Sequence, residues 1–189
     1  MSMAGKPIKQ YESFYMAEME WGVNSSTNTT YMNYEFDIDS LYSTIVRCDY
    51  LLRTNVDKDI NLNIASYGGD VYAMLGLVDY IRGLPVKVNT HCVGTCMSAA
   101  SVVLASGTGK RTMTKHATVM VHEGSAFEAG KTTDVMKGVD HLKELQKEIN
   151  KLMSEVTNKD ARFWELTQRN DTYLSAEECV NYGIVDEIV

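Results

Sequence analysis

Apolar and polar residues alternate without a break from Ile60 to Ile64, with Ile60, Leu62 and Ile64 set against Asn61 and Asn63. That period of two predicts a strand with one buried face. Before it, Leu41, Ile45, Val46 and Leu52 predict a helix that ends in the polar turn Asn55–Asp59. After it, the turn Ser66-Tyr67-Gly68-Gly69-Asp70 leads into a helical stripe of Val71, Met74, Leu75, Val78 and Ile81, which Gly83 and Pro85 stop. Val86–Val93 predicts a second strand, and Gly94–Ala105 reads as a helix with small residues on nearly every face, hence a buried one. Thr118–Val121 is a third short strand, and it delivers His122.

The longest predicted helix covers residues 133–157. Val135, Leu142, Ile149 and Val156 recur along it at heptad spacing, with Val139 and Met153 beside them, a stripe that needs a partner helix. Residues 1–36 are polar and weakly patterned, and Asn24–Thr30 (NSSTNTT) reads as a loop. Strands alternating with helices through Gly-rich crossovers imply an α/β fold with a largely parallel sheet. No repeat or linker interrupts the pattern, so residues 1–189 are expected to form one domain.

Composition narrows the function classes. With 44% hydrophobic and 23% charged residues the chain has the profile of a soluble globular protein. A net charge of −7 disfavours nucleic acid and anionic membrane as partners, because a phosphate backbone must be met by positive charge. The start, MSMAGKPIKQYESFYMAEMEW, lacks the apolar core of a signal peptide, and a cytoplasmic location is expected. Cys48, Cys92, Cys96 and Cys179 fit neither a disulfide framework nor a zinc motif and read as buried free thiols. Asn28 stands in a formal glycosylation triplet, N-T-T, read as a chance match.

Candidate chemistry lies at three positions. Ser98 follows Gly94 where a strand turns into a buried helix, near backbone N–H groups that favour a developing negative charge. His122 closes an apolar strand, and Asp171 lies in the polar turn Arg169-Asn170-Asp171-Thr172. A nucleophile, a base and a group to orient the base are the parts of acyl-transfer catalysis. Read singly, each has a structural alternative: a packing serine, a core histidine, a turn-capping aspartate. His91, His116 and His141 carry only structural readings.

Four segments change the weight of these residues. Ile64-Ala65-Ser66-Tyr67-Gly68-Gly69-Asp70-Val71 resembles the signature I-N-S-P-G-G-x-V of the Clp peptidase family. Cys92–Ala100 resembles that family's nucleophile segment, and Val119-Met120-Val121-His122 resembles its V-M-I-H base motif. Asp171–Asp186 is similar to its D-R-F-L-S-A-x-E-A-x-E-Y-G-L-V-D ending. The four occur in family order across residues 60–189.

The resemblance implies a repeated βαβ superfold of the Clp/crotonase type with a protruding handle helix at 133–157. It implies a serine peptidase that cleaves unfolded polypeptide inside a chamber of identical or related subunits, as a single or stacked ring, with no metal or organic cofactor. Ser98 would be the nucleophile, His122 the base, and Asp171 the residue that holds the imidazole tautomer. The oxyanion donors would be the N–H groups of Gly69 and Ala99, and the Gly68-Gly69 pair would let a substrate carbonyl approach. Glu123, Gly124 and Ser125 would begin an edge strand, through Gly130, that pairs with substrate backbone. A AAA+ unfoldase or a related subunit would be the partner, although the N-terminus lacks the family's axial-loop segment.

Some positions depart from the pattern. Tyr67 replaces a proline, Asp70 reads as a helix N-cap, and Glu123-Gly124 replaces a Gln-Pro pair. Arg169-Asn170 stands where the family has an acidic residue followed by arginine, a pair that bridges rings, so the usual bridge cannot form. Three rival functions follow: a ring subunit of the same fold that does not cleave, a crotonase-type acyl-CoA enzyme with a similar C-terminal motif, and a membrane-linked signal-peptide peptidase. The last uses a lysine base.

Overall fold

The computed structural model describes Met16, residues 18–125 and residues 129–189. Most of the N-terminal stretch read for a signal peptide, and the middle of the 123–130 segment, lie outside the described residues. Among the described residues, eight strands form one mixed sheet. They are β1 (Val23–Asn24), β2 (Thr29–Met32), β3 (Ile60–Ser66), β4 (Val88–Met97), β5 (Arg111–Met113), β6 (Thr118–Val121), β7 (Thr172–Leu174) and β8 (Glu187–Ile188). The order is β1-β2-β3-β4-β5-β8, and β6 joins β4 on one side and β7 on the other. Pairing is parallel except at β1/β2 and β6/β7.

Helices α1 (Ile38–Thr54) and α3 (Ala99–Ala105) pack onto the strands, and α2 (Val71–Gly83) packs onto both of them. Ile60, Leu62, Ile64, Val88, Cys92 and Cys96 face this layer and are buried. The opposite face of β3 and β4 is polar and satisfies itself: Asn89 donates to Asn61 (3.0 Å), and His91 shares a hydrogen bond with Thr112 (2.7 Å). One covered face and one polar face explain why β3 alternates so cleanly, although parallel strands are usually apolar on both sides.

The NSSTNTT stretch is more than a loop. It is the turn and second strand of the β1/β2 hairpin, whose short strands carry too few apolar residues for the period to register. Asn28 sits in this turn with φ 52° and is buried, its amide donating to the carbonyls of Lys58 and Asp59. A glycan has no room there.

The reading of Gly94–Ala105 as one helix is corrected by β4. Gly94 to Met97 continue the strand, and the helix starts only at Ala99. Along β3 the register jumps from Ile64↔Cys92 to Ser66↔Cys96, so β4 carries extra residues around Gly94, whose φ is +80°. This bulge turns the strand from one neighbour to another: Thr90–Cys92 pair with β5, and Thr95–Met97 pair with β6. Small side chains suggested helix here, but they serve a bent strand in a crowded centre.

Helix α4 (Thr132–Val156) is long, and its burial is one-sided along its length. Leu145, Ile149, Asn150, Leu152 and Met153 are buried, whereas no residue before Leu145 is. The heptad stripe identified Ile149 and Met153 but not Leu145 and Leu152. Its upper members Val135 and Leu142 stay partly exposed. Helix α5 (Ala161–Thr167) braces the buried end. Trp164 is fully buried and donates its indole N–H to Thr157 (2.9 Å). Helix α6 (Ala176–Tyr182) begins with a capping box between Ser175 and Glu178 and ends at Gly183 in the left-handed conformation. All four cysteines are buried and free, and burial pushes the Cys48 and Cys179 thiols up to about 12, which removes them as thiolate nucleophiles near neutrality.

Candidate active site

Three local structures converge on one cleft. Ser98 stands alone between β4 and α3 with φ 52° and ψ −124°, a backbone conformation that non-glycine residues rarely adopt. The surroundings over-determine it. Its N–H donates to Met120 O (2.8 Å), and its carbonyl accepts from the N–H (3.0 Å) and hydroxyl (2.6 Å) of Ser101. A Cβ on Gly68 would lie 2.7 Å from both Met97 O and the Ser98 Cβ, so the chain passes beneath Ser98 only as glycine. The expected reason for that glycine was access for a substrate carbonyl, and the observed one is the close approach of the Ser98 turn.

Gly69 is bracketed by the N-terminal region instead. Phe36 N–H donates to Gly68 O and Phe36 O accepts from Asp70 N–H, both at 2.8 Å, and a Cβ on Gly69 would strike the Phe36 backbone. Ser66 adds a further support, donating to Tyr34 O (2.6 Å) and accepting from Gly68 N–H (3.2 Å). Asp70 caps α2 by accepting from Ala73 N–H (2.8 Å), which is the bland role read from sequence. Tyr67, in the position of the family proline, is 77% exposed.

The sheet registers bring His122 to Ser98. The parallel pair Met97↔Met120 sets Ser98 beside the end of β6, and the antiparallel pair Val121↔Thr172 sets His122 opposite Asp171. His122 Nε2 lies 2.8 Å from Ser98 Oγ, and Nδ1 lies 3.1 Å from Asp171 Oδ1. With Nδ1–H donating to the carboxylate, Nε2 is left to accept the serine proton. The His122 side chain is 27% exposed and that of Asp171 63%.

A cleft of about 970 Å³ runs from this trio between the N-terminus of α2 and the middle of α4. Ser98, His122, Gly69 and Ala99 line it, as do Glu123, Gly124 and Ser125. Gly68 does not; it lies under the Ser98 turn. Glu123, Gly124 and Ser125 are not in a strand in the single chain. Their backbone is held by groups the sequence did not single out: Glu123 N–H donates to Gln168 O (2.6 Å), and Gly124 N–H donates to Gln146 Oε1 (2.9 Å). The one signal for them was a polar Asn150 inside the apolar stripe of the long helix, since buried amides need partners.

Two other expectations gain detail. His141 is exposed on α4, and its Nε2 shares a hydrogen bond with Tyr72 Oη (2.9 Å), a structural role. Arg169 is not an unpaired cation. It lies 3.2 Å from Glu165, whose carboxyl is held below its ordinary range by hydrogen bonds from Arg162 and Arg169.

A strained serine between strand and helix, within reach of a histidine that an aspartate touches, opens onto one cleft. The Clp protease family model matches residues 30–189. The ATP-dependent Clp protease proteolytic subunit 1 of Prochlorococcus marinus (strain MIT 9312) is 33% identical over 141 residues, 74% of this chain and 72% of that protein. The chain belongs to the Clp protease family, and its function is of the protease type. No described helix is long and apolar enough to cross a membrane.

Proposed function

We propose that the chain is a serine-type endopeptidase subunit that hydrolyses unfolded polypeptide through an acyl-enzyme, within a chamber built from rings of subunits. The observation that carries this reading is the pair of contacts at His122, 2.8 Å to Ser98 Oγ and 3.1 Å to Asp171 Oδ1. His122 takes the serine proton as Oγ attacks the peptide carbonyl, then returns it to the leaving amine; water repeats the sequence on the ester. Asp171 keeps Nδ1 protonated and stabilises the imidazolium. The N–H groups of Gly69 and Ala99, both lining the cleft, bind the oxyanion.

The cleft, about 970 Å³ and lined from Tyr72 to Gln168, leaves room for a stretch of polypeptide beside Ser98. The partly apolar upper half of α4 suits burial against a second subunit or ring. A fluorophosphonate probe tests the chemistry. It should modify Ser98 in the assembled protein and leave Ser98→Ala unmodified. Persistent labelling of the variant refutes the assignment, and absence of labelling in the wild type identifies a ring subunit that does not cleave.

A further inference from the structure

Gln168 and Asn150 are 4% and 6% exposed, yet both side chains are polar, and neither belongs to the trio at Ser98. They share one partner. Gln146 Nε2 donates to Gln168 Oε1 (3.0 Å) and to Asn150 Oδ1 (3.1 Å), while its Oε1 accepts from Gly124 N–H (2.9 Å). The main-chain carbonyl of Gln168 takes the neighbouring Glu123 N–H (2.6 Å). The two peptide N–H groups that follow His122 are therefore both anchored, one to the long helix and one to the turn three residues before Asp171. A single half-buried amide, that of Gln146, ties the two anchors together.

Such a network is stiff only when every member is satisfied, and loss of one member leaves the others buried without partners. It also joins three elements, two of which flank the His122–Asp171 contact. These are the residues after β6, the turn before β7, and α4, whose buried residues all lie from Leu145 onward.

We propose that Gln146 and Gln168 are positioning residues: their amide pair clamps the backbone after His122 to the Asp171 turn and so holds the imidazole between Ser98 and Asp171. The proposal rests on the serine-peptidase reading. The clamp touches no reacting atom, so it acts on the alignment of the base and not on substrate affinity. Small misalignments of a base are costly to the chemical step.

The test uses the full-length assembled protein, a small fluorophosphonate probe and a peptide substrate. Gln146→Leu and Gln168→Leu should each lower the labelling rate of Ser98 and kcat by about tenfold, with KM within about twofold. The double variant should be no worse than the poorer single variant, because both remove the same link. Gln146→Glu keeps the acceptor for Gly124, and the Gln168 and Asn150 amides can turn to donate to it, so it should retain most of the activity. Amide hydrogen exchange at Glu123 and Gly124 should accelerate in Gln146→Leu and stay slow in Gln146→Glu. A rise in KM with unchanged kcat, additive losses, or unchanged exchange would each overturn the clamp. Should the wild type neither label nor cleave, the catalytic reading has failed. Hydrogen exchange then decides the clamp by itself, with loss of protection in Gln146→Leu supporting it and unchanged protection overturning it.

Discussion

The turn that carries Ser98 and the turn that carries Asp171 lie on two sides of one histidine, yet they are built on different principles. Ser98 sits in a strained conformation, enclosed by Met97, Met120, Ser101 and a glycine whose place a Cβ would crowd. Asp171 follows a turn at the protein surface and is 63% exposed. Thr172 stabilises that turn by donating to Thr167 O (2.7 Å), and Arg169 pairs with Glu165. The position of Ser98 is thus fixed by the protomer's own core. The carboxylate that meets His122 Nδ1 hangs instead on an exposed turn. One side of the histidine is held by the core and the other by the surface, so a change at the surface turn can shift the His122–Asp171 contact without disturbing Ser98.

The sharpest test of this contrast is Asp171→Asn, which should keep the fold while lowering peptidase turnover by about 10⁴, because the amide favours the wrong imidazole tautomer. A loss below tenfold would mean that another group orients the ring. Gly68→Ala probes the opposite side. Its Cβ would meet the backbone of Met97 and the Ser98 Cβ at 2.7 Å, so the turn must shift or the chain must absorb strain. The expected outcome is a labelling rate at Ser98 reduced by about 10² and a fall in unfolding free energy of about 1–3 kcal/mol by denaturant titration. Labelling at the wild-type rate would show that the enclosure of Ser98 is dispensable.

What the sequence disclosed follows the same division. Ile60, Leu62 and Ile64 were legible because one face of β3 stays polar, and Thr118–Val121 because it is short, apolar and ends at His122. The serine, histidine and aspartate were brought together by motif order, since nothing in their separate spacing predicts that Met97 pairs Met120 or that Val121 pairs Thr172. The bulge at Gly94 was hidden because Cys92–Ala100 has small residues at positions that a buried helix and a bent central strand both accept. The Gln146–Gln168 link was hidden for a different reason: a glutamine on an amphipathic helix ordinarily faces water, and only tertiary contact reveals its partners.

The pairing of Arg169 changes what the altered ring-bridge residues predict. Glu165 carries two arginines, Arg162 at 2.7 Å and Arg169 at 3.2 Å, so the turn beside Asp171 bears one carboxylate for two guanidiniums. Glu165→Gln should scarcely change protomer stability, within about 0.5 kcal/mol, as exposed ion pairs contribute little. It should, however, leave like charges at a surface that the proposed stacked rings bring together. The double-ring fraction in native mass spectrometry should fall in Glu165→Gln at low salt and recover as salt screens the repulsion. A fraction that does not respond to the substitution would place this turn away from any ring contact.

The smallest effect concerns the far edge of the sheet, where Arg111 gathers the C-terminal elements. Its guanidinium donates to the carbonyls of Ala105, Val156 and Gly183, and it forms a two-pronged pair with Asp186 whose closest contact is 2.5 Å. Burial tends to raise the Asp186 carboxyl, but hydrogen bonds and charge from Arg111 outweigh it and hold the group below its ordinary 3.8. A carboxylate depressed in the folded state stabilises the fold above its unfolded value, and the contribution disappears as pH falls through the folded value. Acid titration should therefore show an extra loss of stability below about pH 4 in the wild type that is absent in Asp186→Asn. The substitution should also leave Ser98 labelling at neutral pH within about twofold, because Asp186 is neither in the cleft nor hydrogen-bonded to its walls. If the two proteins lose stability in parallel on acidification, the Arg111–Asp186 pair contributes nothing to the acid limb. The remaining acid sensitivity would then belong to carboxylates such as Glu178, whose capping hydrogen bonds from Ser175 depress it in the same direction.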